Sequence, residues 1–129
     1  MPAKFHHFAM EVSDAERSAE FYCSLLGFER GDEFSFPDRQ RKIVFVRLGD
    51  VCIELLQGAE PEPLVAQPKM VGWKHLCLQT DDVDGEIERL RAAGVTITLE
   101  PFDTEIGSRI AFFEDPDGIP LEFWSDLPG

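Results

Sequence analysis

The feature that most constrains this fold is an internal repeat of about half the chain. Shifting the 129-residue sequence against itself by 68 positions places His7 on His75 and Glu54 on Glu122. In both halves the histidine therefore precedes its glutamate by 47 residues. A repeat of this kind indicates two copies of one supersecondary unit.

The same shift aligns a short hydrophobic motif around each glutamate. Val51-x-Ile53-Glu54-Leu55 falls on Ile119-x-Leu121-Glu122-Phe123. It also places Arg41 on Arg109, and the two arginines are accordingly predicted to occupy equivalent positions.

Both halves predict the same order of elements. Each opens with residues that alternate between apolar and polar, as in a half-buried strand. Acidic N-cap residues follow at Asp14 and Asp82, and Gly27 and Gly94 stand where each helix is expected to end. We expect strands at 5–12, 28–36, 41–48 and 51–56 with a helix at 15–26, then strands at 73–80, 95–99, 108–114 and 120–124 with a helix at 83–93.

The predicted fold is α+β, with two tandem βαβββ units whose curved mixed sheets form a metal-binding cup. We expect a single domain over 1–129, with unit one at about 4–57, a connector at about 58–70 and unit two at about 71–126. The connector is rich in proline, with Pro61, Pro63 and Pro68.

Charge and composition exclude several classes of function. The net charge of −13 disfavours binding to nucleic acid or to an anionic membrane surface. The start of the chain has no apolar signal segment, and no apolar run is long enough to span a bilayer. Three cysteines without C-x-x-C spacing favour a reducing compartment. We therefore expect a cytoplasmic protein.

Strand alternation predicts that four polar residues share one set of sheet faces. Glu54 and Glu122 alternate with apolar neighbours that would pack under the helices, and His7 and His75 have the matching parity. Any one of these residues alone is more commonly solvated or hydrogen-bonded than a ligand. Two imidazoles and two carboxylates at symmetric spacing instead indicate a divalent metal site.

At these residues the chain resembles the vicinal oxygen chelate superfamily, which includes glyoxalase I, methylmalonyl-CoA epimerase, extradiol dioxygenases and bleomycin-resistance proteins. The resemblance implies paired βαβββ units around a divalent metal, usually in a homodimer, with His7, Glu54, His75 and Glu122 as ligands. It is carried by His7-Phe-Ala-Met-Glu-Val12, Phe21-Tyr22-x-x-Leu25-x-Gly27-Phe28, Ile53-Glu54-Leu55, His75-x-x-x-x-x-Asp81-Asp82-Val83 and Phe113-Glu-Asp-Pro-Asp-Gly118-x-x-Leu121-Glu122.

Glutamate at both Glu54 and Glu122 is most similar to the short glyoxalase I enzymes. That similarity implies a lyase or isomerase that converts the hemithioacetal of a 2-oxoaldehyde and a thiol into a 2-hydroxyacyl thioester through an enediolate. Glu122, rather than Glu54, is the favoured proton carrier by the same analogy. Nickel, cobalt or zinc is the expected metal, and manganese or iron also suits the donor set.

Two alternatives stay open. Ile53-Glu-Leu-Leu56 and the Pro/Glu-rich segment after it resemble methylmalonyl-CoA epimerases, which usually carry glutamine at the position of Glu54. A bleomycin-resistance-like protein would sequester a small molecule without catalysis and would not be expected to keep all four ligand-type residues.

The sequence does not decide which substrate binds, or whether one chain or two complete the metal site. A thiol adduct or thioester is the expected partner, and Arg41 and Arg109 are the repeat-related candidates for holding its charge. Five aromatic residues could line an apolar pocket or pack in the core or a dimer interface: Phe34, Phe36, Trp73, Phe102 and Trp124.

Overall fold

The computed structural model describes residues 2–65 and 69–129, and the chain divides into two compact units, Met1–Pro63 and Leu64–Gly129. Each unit builds one four-stranded sheet and one α-helix, which confirms the predicted α+β class and the two tandem βαβββ units. Unit one contains β1 (Phe8–Val12), α1 (Ala15–Leu26), β2 (Glu29–Phe36), β3 (Arg41–Leu48) and β4 (Val51–Gln57), and unit two contains β5 (Leu76–Gln79), α2 (Val83–Ala92), β6 (Ile97–Asp103), β7 (Ser108–Glu114) and β8 (Pro120–Asp126).

The two sheets have the same topology. The strand order is β1-β4-β3-β2 in unit one and β5-β8-β7-β6 in unit two. In each sheet the first and last strands of the unit are parallel, and the other pairs are antiparallel. This pairing brings the start of each unit beside its final strand, which carries the glutamate.

Both helices begin where the sequence predicts; α1 also ends at the predicted residue, and α2 ends one residue earlier, at Ala92. The Asp14 carboxylate accepts a hydrogen bond from the Arg17 backbone N–H at 3.1 Å, and Asp82 accepts one from Gly85 at 2.9 Å. These bonds satisfy N–H groups that lack partners in the first turn. Gly27 follows α1 with φ of 78°, a left-handed conformation that costs glycine little.

One face of each sheet packs against its helix and forms the core. The opposite face is called here the helix-distal face; it carries Glu54 in unit one and Glu122 in unit two. The fully buried core side chains include Tyr22, Val44, Val46, Ile53 and Leu55 in unit one and Ile87, Leu90, Ala111, Phe113 and Leu121 in unit two.

The first strand of each unit is shorter than predicted. β1 begins at Phe8 and β5 at Leu76, so His7 and His75 lie just before these strands instead of inside them. Alternation of apolar residues reports which way side chains point, but a strand also requires a hydrogen-bonding partner. Phe8 is the first residue of β1 in register with β4, opposite Ile53.

The repeat alignment of Arg41 with Arg109 is wrong. Lys42 lies opposite Gln57, and Arg109 lies opposite Ser125, the repeat partner of Gln57. Arg109 therefore corresponds to Lys42. The shift arises because the chain from Phe112 to its partner Glu122 is one residue longer than the chain from Phe45 to its partner Glu54. A constant offset of 68 therefore no longer aligns the residues that precede the turn.

β6 also departs from expectation, because it extends to Asp103 instead of ending near residue 99. Its pairing with β7 shifts register twice between Ile97 and Phe102, which disrupts the simple alternation of a strand. The predicted connector includes residues 66–68, among them Pro68, which lie outside the described residues. None of the helices in 2–65 and 69–129 has the length and apolar character needed to cross a bilayer.

Candidate functional site

The first predicted pair of site residues is in contact in unit one. His7 Nε2 lies 3.3 Å from Glu54 Oε1. The pair forms because β1 runs parallel to β4 with Ala9 opposite Glu54, which places His7 beside the same carboxylate. Phe45 lies directly across from Glu54 on β3, and its ring meets the imidazole edge-on with centroids 5.8 Å apart.

Unit two repeats this arrangement with a more enclosed carboxylate. His75 Nε2 lies 2.9 Å from Glu122 Oε1, and the Glu122 side chain is 8% exposed against 19% for Glu54. Phe112 lies across from Glu122 on β7 and meets the His75 ring edge-on at 4.9 Å.

Cys77 contacts Glu122 in unit two. The equivalent residue in unit one is Ala9, which has no polar side chain. The two residues are opposite each other across β5 and β8, and the thiol is hydrogen-bonded to the carboxylate. Loss of solvation raises the pKa of the Cys77 thiol to about 12, and the Glu122 hydrogen bond and charge act in the same direction. The thiol is therefore protonated near neutral pH and donates to Glu122.

Each His–Glu pair suits two ligands of one metal ion. Ligand bonds of about 2.0–2.2 Å in a tetrahedral shell place neighbouring donor atoms roughly 3.4 Å apart. The separation in unit one, 3.3 Å, matches this value, and the separation in unit two, 2.9 Å, is shorter. The described residues contain no group of three or more His, Cys, Asp or Glu placed to hold a metal. The structure thus pairs His7 with Glu54 and His75 with Glu122, and a four-ligand site stays a prediction.

Several contacts of the site were not found from the sequence. The sequence did not predict the Phe45 and Phe112 rings at the site, because a constant repeat offset aligns Phe45 with Phe113, which lies in the core. Cys77 shares the parity of His75, a signal that was available. His6 also lies beside His7, with its Nδ1 2.7 Å from His7 Nδ1. Strand parity would place His6 on the side opposite to His7, but parity does not apply to residues before β1.

The two candidate arginines lie on different kinds of surface. Arg41 has the parity of Phe45 on β3, which places it on the helix-distal face, and its Nη2 donates to Glu11 at 2.7 Å. Arg109 has the opposite parity and donates to Asp84 of α2 at 2.6 Å and to Asp103 at 2.9 Å. Arg109 therefore belongs to the helix side of its sheet, away from the face that carries Glu122.

Four of the five predicted pocket aromatics lie on the helix-distal faces, and the fifth lies outside the strands. Phe34 and Phe36 lie opposite Ile43 and Arg41 on the helix-distal face of unit one. In unit two, Phe102 and Trp124 both lie opposite Ile110 and share the face of Glu122. Trp73 precedes β5 and is 87% exposed.

Comparison with known proteins agrees with this architecture. The family model of the Glyoxalase/Bleomycin resistance protein/Dioxygenase superfamily matches residues 4–123, and the chain belongs to that superfamily. It is 34% identical over 122 residues to the uncharacterized protein YwkD of Bacillus subtilis, covering 92% of this chain and 94% of YwkD. The crystal structure of SMU.1112c has a TM-score of 0.83 at 32% identity, covering 95% of this chain and 98% of that one.

Two relatives at lower identity have enzyme names. A probable lactoylglutathione lyase of Synechocystis is 29% identical over 123 residues, and the matched region covers 90% of each chain. A mitochondrial methylmalonyl-CoA epimerase of Bos taurus is 28% identical over 109 residues, which span 81% of this chain and 61% of the epimerase. The superfamily is therefore shown, and the particular reaction is a matter for proposal.

Proposed function

We propose that the protein is a metal-dependent lyase or isomerase of the glyoxalase I type. The observation that carries the proposal is the twofold His–Glu pair, His7–Glu54 and His75–Glu122, with a phenylalanine across from each glutamate. One such pair is compatible with an ordinary surface hydrogen bond. Its repetition on the same face of two units that differ in turn length favours a selected function.

In this proposal all four residues are ligands of a divalent ion, with nickel, cobalt or zinc preferred and manganese or iron compatible. When bound, the ion would polarise a substrate carbonyl and make the neighbouring C–H bond more acidic. The resulting reaction moves a proton between adjacent carbons, so it needs no oxidant or reductant. A hemithioacetal would become a 2-hydroxyacyl thioester.

Glu122 is proposed to carry that proton. Its carboxylate would take the proton from one carbon and return it to the adjacent one. The low exposure of Glu122 supports this role, because limited access of water reduces loss of the proton to solvent. Glu54 is more exposed, and we propose that it acts primarily as a metal ligand. We also expect a homodimer located in the cytoplasm, on the basis of the family resemblance and the free thiols of Cys23, Cys52 and Cys77.

Metal content tests the first step. Tag-free protein purified without chelator, and then supplied with each candidate metal, should bind about one divalent ion per chain by elemental analysis. His75→Ala should lose that ion while keeping the unfolding temperature of apoprotein. If wild-type protein takes up none of the five metals, the enzyme proposal fails and a sequestering protein becomes the better interpretation.

Turnover tests the second step. Metal-loaded protein should convert methylglyoxal–thiol adducts to thioesters, followed by ultraviolet absorbance. An epimerase is the second candidate, favoured by the Bos taurus relative and the Ile53-Glu-Leu-Leu56 motif. It would instead exchange the α-hydrogen of a methylmalonyl thioester of CoA with deuterated water, and leave the methylglyoxal adducts unchanged.

A further inference from the structure

The His7 ring has three neighbouring side chains, and one of them has no place in the proposed set of four ligands. His7 Nε2 lies 3.3 Å from Glu54 Oε1, and the Phe45 ring meets the imidazole edge-on. The other ring nitrogen, Nδ1, lies 2.7 Å from Nδ1 of His6. Each nitrogen of His7 therefore faces a polar side chain, and His6 is the partner of the nitrogen that points away from Glu54.

The contact between the two histidines is a hydrogen bond. Their rings are nearly perpendicular, with an interplanar angle of 80° and centroids 5.0 Å apart. Two nitrogens at 2.7 Å repel each other unless one carries a hydrogen and the other accepts it. A neutral imidazole has one N–H and one acceptor nitrogen, so the direction of this bond also decides which nitrogen of His7 keeps a lone pair.

That choice determines whether His7 can bind a metal beside Glu54. An imidazole nitrogen binds a metal through its lone pair, so Nε2 is a ligand only when the hydrogen of His7 is on Nδ1. His6 Nδ1 is then the acceptor, and the hydrogen of His6 lies on its own Nε2. Histidine ligands generally donate their second N–H to a nearby acceptor, which fixes the orientation of the ring.

The position of His7 in the fold makes such a contact important. The β1–β4 register begins at Phe8, so His7 lies outside the paired part of the strand. The orientation of its ring therefore depends more on side-chain contacts than it would inside the sheet. The contact to Glu54, at 3.3 Å, is also longer than the 2.9 Å between His75 and Glu122.

The repeat does not account for His6. The residue before His75 is Lys74, which is aligned with His6 by the same offset that aligns His75 with His7. A lysine ammonium group only donates hydrogen bonds, so Lys74 cannot accept one from an imidazole N–H. An acceptor immediately before the histidine is therefore present in unit one and absent from the equivalent position of unit two.

We propose that His6 is a positioning residue for the metal site. Its Nδ1 accepts a hydrogen bond from His7 Nδ1 and so holds the His7 ring with the Nε2 lone pair beside Glu54. His6 is not itself a ligand in this arrangement, because its Nδ1 is occupied by His7. This inference rests on the proposed function, which makes His7 and Glu54 ligands of one metal ion.

Metal affinity, measured by competition with a chromophoric chelator, tests the proposal without relying on turnover. His6→Ala removes the acceptor and should weaken binding about 10–100-fold, the usual effect of losing an outer partner of a histidine ligand. His6→Asn should restore most of the affinity, because the amide oxygen takes nearly the place of Nδ1. His6→Lys copies unit two and should bind as weakly as His6→Ala, since it offers no acceptor.

A spectroscopic measurement distinguishes positioning from packing. In ¹⁵N-labelled protein loaded with zinc, which is diamagnetic, correlations within the imidazole rings show which nitrogen carries the hydrogen. The Nδ1–H of His7 should exchange slowly with water in the wild type and in His6→Asn. In His6→Ala it should exchange faster, because the hydrogen bond to His6 is gone.

Lys4→Ala is the matched control, since Lys4 is an exposed residue of the same segment before β1. It should bind the metal as wild type does, and unfolding temperatures of the metal-free variants should verify that all are folded. The proposal is overturned if His6→Ala binds the metal as wild type does, if His6→Asn is as weak as His6→Ala, or if Lys4→Ala has an equal effect.

The wild-type result separates failure of this inference from failure of the proposed function. Wild-type protein that takes up none of the candidate metals would refute the proposed function, and the role of His6 with it. Wild-type protein that binds one ion per chain, together with unchanged affinity of His6→Ala, would refute the role of His6 alone.

Discussion

Units one and two have the same framework but treat their glutamates differently. In both, a parallel first strand brings a histidine to the glutamate of the last strand, and a phenylalanine lies opposite. Glu122 is then enclosed further by the Cys77 thiol, whereas the corresponding neighbour of Glu54 is Ala9. Conversely, unit one has Arg41 on this face at the position where unit two has Ser108.

The comparison separates the features that both units share from those that are present in one unit. The features common to both units are those that a metal ion would require: a nitrogen donor and an oxygen donor close together. The features that differ are the Cys77 thiol beside Glu122 in unit two and Arg41 on the helix-distal face of unit one. The shared donors therefore belong to the repeated framework, and the differing neighbours do not.

The largest expected effect separates the two glutamates. Glu122→Gln should reduce kcat at least about 100-fold, since it removes a general base, while largely sparing bound metal. Glu54→Gln should reduce kcat less, because the amide oxygen can still act as a ligand. Steady-state kinetics with elemental analysis on both variants would check this. Equal losses, or a greater loss for Glu54→Gln, would contradict the assignment of the base.

The second prediction concerns the equivalent core positions Ile53 and Leu121, whose side chains are both fully buried. Ile53→Ala and Leu121→Ala should each lower the free energy of unfolding by about 2–5 kcal/mol, because each leaves a cavity. Urea unfolding would measure the change. Val51→Ala is the control, since Val51 is 39% exposed on the same strand as Ile53 and should cost well under half as much. A cost confined to one unit would show that the two cores are not equivalent.

The smallest expected effect concerns the ion pairs on the helix-facing side of each sheet, which differ between the two units. In unit one, Glu16 accepts from both Arg30 and Lys42, and these cations lower the pKa of its carboxyl to about 2. Unit two has the opposite arrangement: one cation, Arg109, forms ion pairs with two carboxylates, Asp84 and Asp103.

Glu16→Gln should therefore reduce the free energy of unfolding at neutral pH by about 1 kcal/mol or less, since exposed ion pairs are screened by water. A carboxylate with a lowered pKa in the folded state stabilises the fold above its unfolded pKa, near 4.5. The difference between wild type and variant should thus be complete above about pH 4.5 and disappear as the pH falls towards about 2.

Two controls make this measurement specific. Glu20→Gln removes a carboxylate bonded to the Ser24 hydroxyl on the same helix and should show a smaller effect. Asp84→Asn should also cost less than Glu16→Gln, because Asp84 pairs with one cation, Arg109, whereas Glu16 pairs with two. A difference that grows as the pH falls would contradict the ion-pair explanation.

Much of the site followed from local sequence signals. Alternation predicted the face of Glu54 and Glu122 because side chains of a strand point alternately to its two sides. Capping residues predicted the helix limits, since Asp14 and Asp82 satisfy N–H groups only a few residues away. The His–Glu spacing predicted the pairs because it is repeated in a chain of two similar units.

Tertiary structure alone decided which residues lie across from one another. The extra residue between the paired positions of β7 and β8 puts Phe112, not Phe113, opposite Glu122, and makes Arg109 the counterpart of Lys42. Local pattern gives the direction of a side chain, whereas the neighbour across the sheet depends on turn length and on hydrogen bonds between distant segments. For that reason the sequence alone determined the two units and their polar pairs, and only the folded sheets showed that Arg41 shares a face with His7 and Glu54.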